Sequence, residues 1–174
     1  ASNARTTLTI LRMYLHTPDS KRPTHYREAW WEEDTKEFVL HYGKVGEIGT
    51  TKVESVSNPN EAEMLLSSFL EQSRNDSYVD VVEVDQDTFT VTIKQRGKEP
   101  TAVEMTNAEK FLQEYTGLLA WRGIGAVEDW ESVSGQGKFV FNVRTVHRNK
   151  AMKLASQAVQ KTDFRADRLS TEGR

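Results

Sequence analysis

The chain has no cysteine among its 174 residues. That excludes disulfides, thiolate nucleophiles and cysteine-based zinc sites together, and it fits a cytoplasmic setting. There is no run of about 18 apolar residues, so no membrane-spanning helix is expected. There is also no basic segment leading into an apolar one, so no secretory signal is expected. Ser2-Asn3-Ala4 reads as the scar of a cleaved tag. Charge of one sign is not in large excess either. The formal net charge is −3, which makes the whole chain a poor electrostatic attractor of nucleic acid.

What charge there is lies unevenly. Residues 1–79 carry nine Lys+Arg against twelve Asp+Glu, and residues 138–174 carry nine against three. A basic C-terminal part suits phosphates or an acidic partner, and it equally suits the solvated face of a helix.

The pattern along the chain predicts α+β architecture. Residues 7–16 alternate as a strand that is apolar on both faces, hence central in a sheet. Residues 25–34, 37–46 and 50–57 follow as strands two to four. Asn58-Pro59-Asn60-Glu61 opens a helix, with Asn58 as cap and Pro59 at the first helical position. Ala62, Leu65, Leu66, Phe69 and Leu70 then recur at helical spacing. Beyond residue 78 the pattern predicts a hairpin of 79–84 with 87–95. A second helix is predicted with Thr106 and Glu109 as its capping box. A further hairpin is expected around Gly135-Gln136-Gly137, and a last helix over roughly 148–161. The domains predicted are 5–78, a β-rich domain with one helix, and 79–165, a second small α+β domain, which share one continuous sheet or keep separate ones. Residues 166–174 have no apolar stripe and are expected to be a disordered tail. No residue string recurs between the two halves, so no repeat is inferred.

Motifs that would select a chemistry are missing. His16, His25, His41 and His147 sit in no HExxH or GxSxG context, and His41 is expected to face solvent. The acidic run Glu32-Glu33-Asp34 and the pair Asp85/Asp87 read as turn residues. Gly43, Gly46 and Gly49 form GxxGxxG with no helix directly after it, which is not a phosphate loop. No cofactor or metal site follows from these residues, and no catalytic residue is assigned. The suggestive feature is aromatic: Trp30, Trp31 and Tyr42 fall on two strands expected to pair. Trp30 and Trp31 must face opposite sides, with one in the core and one exposed. Tyr42 and Lys44 either present a ring and a cation to a partner or flank an ordinary hairpin turn.

Residues 17–78 resemble the WGR domain, a small β-rich module with one helix. The resemblance lies in Tyr42-Gly43-Lys44-Val45-Gly46 followed by Ile48-Gly49-Thr50, preceded by Asp19-Ser20-Lys21 and His25-Tyr26 and followed by Ala62 and Phe69. Tyr42 stands where that family has Trp, and Lys44 where it has Arg. Lys44 lacks the planar bidentate fork of arginine. In poly(ADP-ribose) polymerases this domain contacts DNA and neighbouring domains, so the resemblance implies contact roles for Tyr42 and Lys44; it implies no ADP-ribosyl transfer.

Together these features predict a non-catalytic binding or regulatory protein whose partner is nucleic acid or protein. The contact candidates are Tyr42, Gly43, Lys44 and Trp31 in the first domain, and Arg148, Lys150 and Lys153 in the last helix. The alternative is a bacterial protein-interaction module, such as a toxin inhibitor or a regulatory subunit. A hydrolase would require His41 in a cleft with two carboxylates. Oligomeric state is open.

Overall fold

The computed structural model describes residues 9–173. The start of the first expected strand and the tag-like residues lie outside the described residues. The chain divides into a unit ending at Val84 and a unit beginning at Asp85.

The first unit is a five-stranded antiparallel sheet in the order β4-β3-β2-β1-β5. Its strands are β1 (Leu11–Leu15), β2 (His25–Glu32), β3 (Glu37–Lys44), β4 (Thr50–Ser55) and β5 (Tyr78–Asp80). β1 is interior, as its two apolar faces predict. One helix, α1 (Pro59–Asn75), packs on the sheet. Asn58 caps it, accepting from the N–H of Asn60 at 2.8 Å. Ala29, Phe38, Val56 and Ala62 form the buried centre of this contact, with Trp31, Leu40, Leu65, Leu66 and Phe69 packed around them.

Residues 79–84 do not form a hairpin with 87–95. Tyr78–Asp80 instead pairs with β1, with Val79 opposite Tyr14, and Val81–Glu83 is a short 3₁₀ turn. Asp80 diverts the chain: its carboxylate accepts from the N–H of Val82, and its own N–H donates to Glu83. A capped turn thus replaces the second half of the expected strand, and the units part after Val84 rather than after Tyr78.

The second unit is a four-stranded sheet in the order β7-β8-β6-β9. Its strands are β6 (Asp87–Lys94), β7 (Gly125–Val133), β8 (Lys138–Thr145) and β9 (Leu169–Gly173), and its helices are α2 (Ala102–Ala120) and α3 (Arg148–Val159). The two units therefore have separate sheets. Phe89, Val91 and Ile93 of β6 stand opposite Val143, Phe141 and Phe139 of β8, and all six are buried together with Phe111, Tyr115 and Leu119 of α2. The Tyr115 hydroxyl donates to the Ala151 carbonyl at 2.7 Å, which ties α2 to α3.

Two expectations fail here for identifiable reasons. The capping box of α2 is Thr101/Glu104, not Thr106/Glu109. The same spacing occurs twice in the sequence, and the earlier copy wins because Glu104 also accepts from the N–H of Arg96. As far as Gly173 the expected tail is ordered: β9 pairs with β6, Thr171 opposite Val91. Backbone ladder bonds hold that segment, so it needs no apolar stripe.

Candidate functional site

The loop between β3 and β4 is where glycine is required. Gly49 adopts φ +70°, and a Cβ there would lie 2.2 Å from the Tyr42 carbonyl oxygen. A Cβ on Gly43 would lie 2.8 Å from the Gly49 Cα. These two glycines let the backbone double back on itself, which is a geometric role; Gly43 offers no side chain to a partner.

Beneath the loop lies a row of buried polar groups. Arg12 Nη2 donates to Glu28 Oε2 at 2.7 Å, and His41 Nδ1 meets Glu28 Oε1 at 2.8 Å. The Tyr26 hydroxyl lies 2.7 Å from the Glu47 carbonyl and 2.8 Å from that of Ile48, and His41 Nε2 also reaches the Ile48 carbonyl. Burial alone would weaken the hold of Arg12 on its proton, but the Glu28 carboxylate outweighs this and raises its pKa. Burial, helped by the charge of Glu28, pushes the Tyr26 hydroxyl up to about 12. His41 is 1% exposed and Glu28 3%. His41 therefore does not face solvent: the next strand and the returning loop enclose it. The cluster fastens the loop to the sheet, and its Glu28 and His41 are also among the residues that line the groove under α1.

The opposite face of the sheet carries a groove. Residues alternate across a strand, so Arg27, Phe38, Leu40, Tyr42, Lys52 and Glu54 share the face on which α1 lies. The helix packs along β2 and β5, while every residue of β4 stays exposed. Between helix and sheet this leaves a cavity of about 480 Å³, floored by those residues with Glu28 and His41, and walled by Leu65, Ser68, Phe69, Gln72 and Ser73 of α1 and by its C-cap Asp76. Its centre is apolar and its margins are charged. Arg27 bridges to Asp76 at 2.7 Å and stacks 4.0 Å over the Tyr78 ring. The hydrogen bond from Arg27, then that from Gln72, holds the Asp76 carboxyl below its usual range. Lys52 Nζ lies 5.8 Å from the centre of the Tyr42 ring. The Ser73 hydroxyl is buried in the wall with no hydrogen-bond partner among the described residues.

The predicted contact residues are distributed as follows. Tyr42 is half-buried in the groove floor. Lys44 is exposed at the end of β3, outside the residues that line the groove. Trp31 is not an exposed anchor: it packs into the α1 contact, its Nε1 donates to the Val56 carbonyl, and Lys36 sits over its ring. Trp30 is buried as well, so neither of the adjacent tryptophans is presented. Arg148, Lys150 and Lys153 belong to the second unit. Arg148 is half-buried and donates to the Thr88 carbonyl at 3.0 Å; Lys150 and Lys153 are exposed. The sequence reading missed Arg27, Lys52, Glu54 and Asp76. Pairing Leu40 with Lys52 across the β3–β4 hairpin would have placed Lys52 beside Tyr42.

A second cavity, of about 400 Å³, is lined by Arg96, Glu104, Asp163, Arg165 and Arg168 among others. Two of its three arginines are paired, Arg168 with Glu104 and Arg165 with Asp167. Among the described residues no group of three His, Asp or Glu is placed to hold a metal ion, and no helix is long and apolar enough to cross a membrane.

No protein-family model matches the chain, and no curated protein matches it. A crystal structure of a Bacteroides fragilis protein aligns with it at 20% identity and a TM-score of 0.35, covering 43% of this chain and 20% of that one. That likeness carries no argument about fold or function.

Proposed function

We propose that the chain is a non-catalytic binding protein whose first unit, WGR-like in its 42–50 string, takes an apolar anchor of a protein partner into the groove between α1 and β3–β4. The observation that carries this reading is the groove itself. Small concave sites with apolar floors and a few convergent polar groups are where binding concentrates, and a buried side chain in such a pocket dominates interface energy. Phe38, Leu40, Leu65 and Phe69 supply apolar surface, Tyr42 an aromatic wall, and the Ser73 hydroxyl an unmet hydrogen bond. Lys52 and Glu54 at the margin would fix the orientation of the partner backbone.

A nucleic-acid ligand is the second reading. Exposed Lys44, and Lys150 and Lys153 on α3, favour it; the acidic balance of residues 1–79 weighs against it for the first unit.

The test uses two variants and two kinds of partner. Ser68→Trp fills the groove from an exposed helix position, and Tyr42→Ala removes its aromatic wall. A photo-crosslinker at Gln72 should capture a protein in the wild type, and each variant should lower that capture at least about tenfold, the loss expected of an anchor contact. Labelled oligonucleotides at low and moderate salt supply the other arm. Binding that falls steeply with salt and that Tyr42→Ala with Lys44→Ala abolishes would replace the first reading with the second.

A further inference from the structure

We propose that two copies of the chain associate edge to edge through β4, antiparallel, about a two-fold axis at Val53. This edge shares Lys52 and Glu54 with the margin of the groove, but its test reads self-association and not capture of a partner.

β4 is the terminal strand of its sheet, and all six of its residues are exposed. The hydrogen-bond phase of the strand is fixed at its end, where the Val56 N–H donates to the Lys36 carbonyl at 2.8 Å. That bond brackets the Glu37–Ser55 pair. In an antiparallel ladder, pairs that exchange bonds alternate with pairs that do not, and the latter turn their N–H and C=O away from the neighbouring strand. Ser55 belongs to the second kind, and by alternation so do Val53 and Thr51. The N–H and C=O groups of Thr51, Val53 and Ser55 therefore point off the open edge.

A second β4 meets these groups in kind. With Val53 opposite Val53 of the second copy, Thr51 falls opposite Ser55, and every outward N–H and C=O of these residues gains a ladder bond. The side chains then select the register. Lys52 and Glu54 lie on one face, and this axis sets each Lys52 against Glu54 of the other copy. Moving the axis one residue towards the N-terminus sets Lys52 against Lys52; moving it one residue the other way sets Glu54 against Glu54. A half-residue shift aims outward groups at inward ones. On the other face Val53, which is 57% exposed, covers its counterpart. The sequence Thr-Lys-Val-Glu-Ser is thus complementary to itself in one register, whereas open edges are ordinarily protected by charges with no such match. One strand pair buries far less than a standard interface of about 1,600 Å², so the dimer is concentration-dependent.

Sedimentation velocity on the full chain over a concentration series tests this. The weight-average sedimentation coefficient should rise with concentration. Lys52→Glu alone, or Glu54→Lys alone, converts both matched pairs to like charges and should weaken the dimer roughly tenfold. The two changes together restore opposite charges in the same register and should restore association. Circular dichroism checks that these surface variants fold. A chain that stays monomeric throughout, a dimer indifferent to the single reversals, or a double variant that stays as weak as the singles would each overturn the proposal.

Discussion

Replacing Gly49 by alanine separates two costs that usually arrive together. The first is conformational. Gly49 sits at φ +70°, where a Cβ costs about 1–2 kcal/mol. The second is contact. The new Cβ would meet the Tyr42 carbonyl at 2.2 Å and the Tyr26 hydroxyl at 2.9 Å. Tyr42 is held in the β3 ladder, so the loop must yield, and it loses the Tyr26 tie to its carbonyls, worth about 1 kcal/mol. The total is about 3 kcal/mol. Gly135→Ala is the control: φ is +75° there, but nothing lies within 4 Å of the Cβ position, so only the conformational cost of about 1–2 kcal/mol applies. Urea unfolding read by hydrogen exchange on peptides of each unit gives the two midpoints separately, with an unchanged slope marking a pure change in stability. Equal shifts for the two variants would refute the claim that close approach, and not backbone conformation alone, requires glycine at position 49.

Glu28→Ala leaves Arg12 and His41 facing each other without the carboxylate between them. A loss of about 3 kcal/mol is expected, the low end for breaking a buried pair, because 18% of the Arg12 side chain still reaches water; a loss under about 1 kcal/mol in the same urea assay would show the network to be incidental. Acid should weaken the second unit through Glu104. Burial would raise its pKa, but the N–H groups of Thr101 and Arg96 outweigh burial and lower it. A carboxyl depressed on folding contributes stability above its unfolded pKa and loses it as pH falls through the folded one, so Glu104→Gln should flatten the decline in midpoint below about pH 4.5, and an unchanged pH profile would contradict the assignment.

The elements that could be read from sequence were those whose signal is local. Asn58-Pro59 marked the start of α1, and alternation marked β1 to β4, β6 and β8. Partnership was not local. Nothing in residues 79–84 announces that the strand stops at Asp80 and pairs back to β1, and nothing in Leu169–Gly173 announces an edge strand. Tyr42 was found because an aromatic beside glycines is conspicuous. The rest of the groove was missed because it depends on which side of the sheet α1 leaves bare. His41 was misjudged for a related reason: a strand histidine next to a turn looks exposed until the turn folds over it.

β9 also bears on how the second unit folds. Thr171 pairs with Val91, so this strand closes a loop of about 80 residues, an entropic cost with few apolar contacts in return. The strands β7 and β8 close over a short turn and can form early, whereas β9 docks late. The last strand to dock is also the first to leave, and each departure bares one side of β6, a strand of Thr, Phe, Val and Ile that would recruit any other unpaired strand it met.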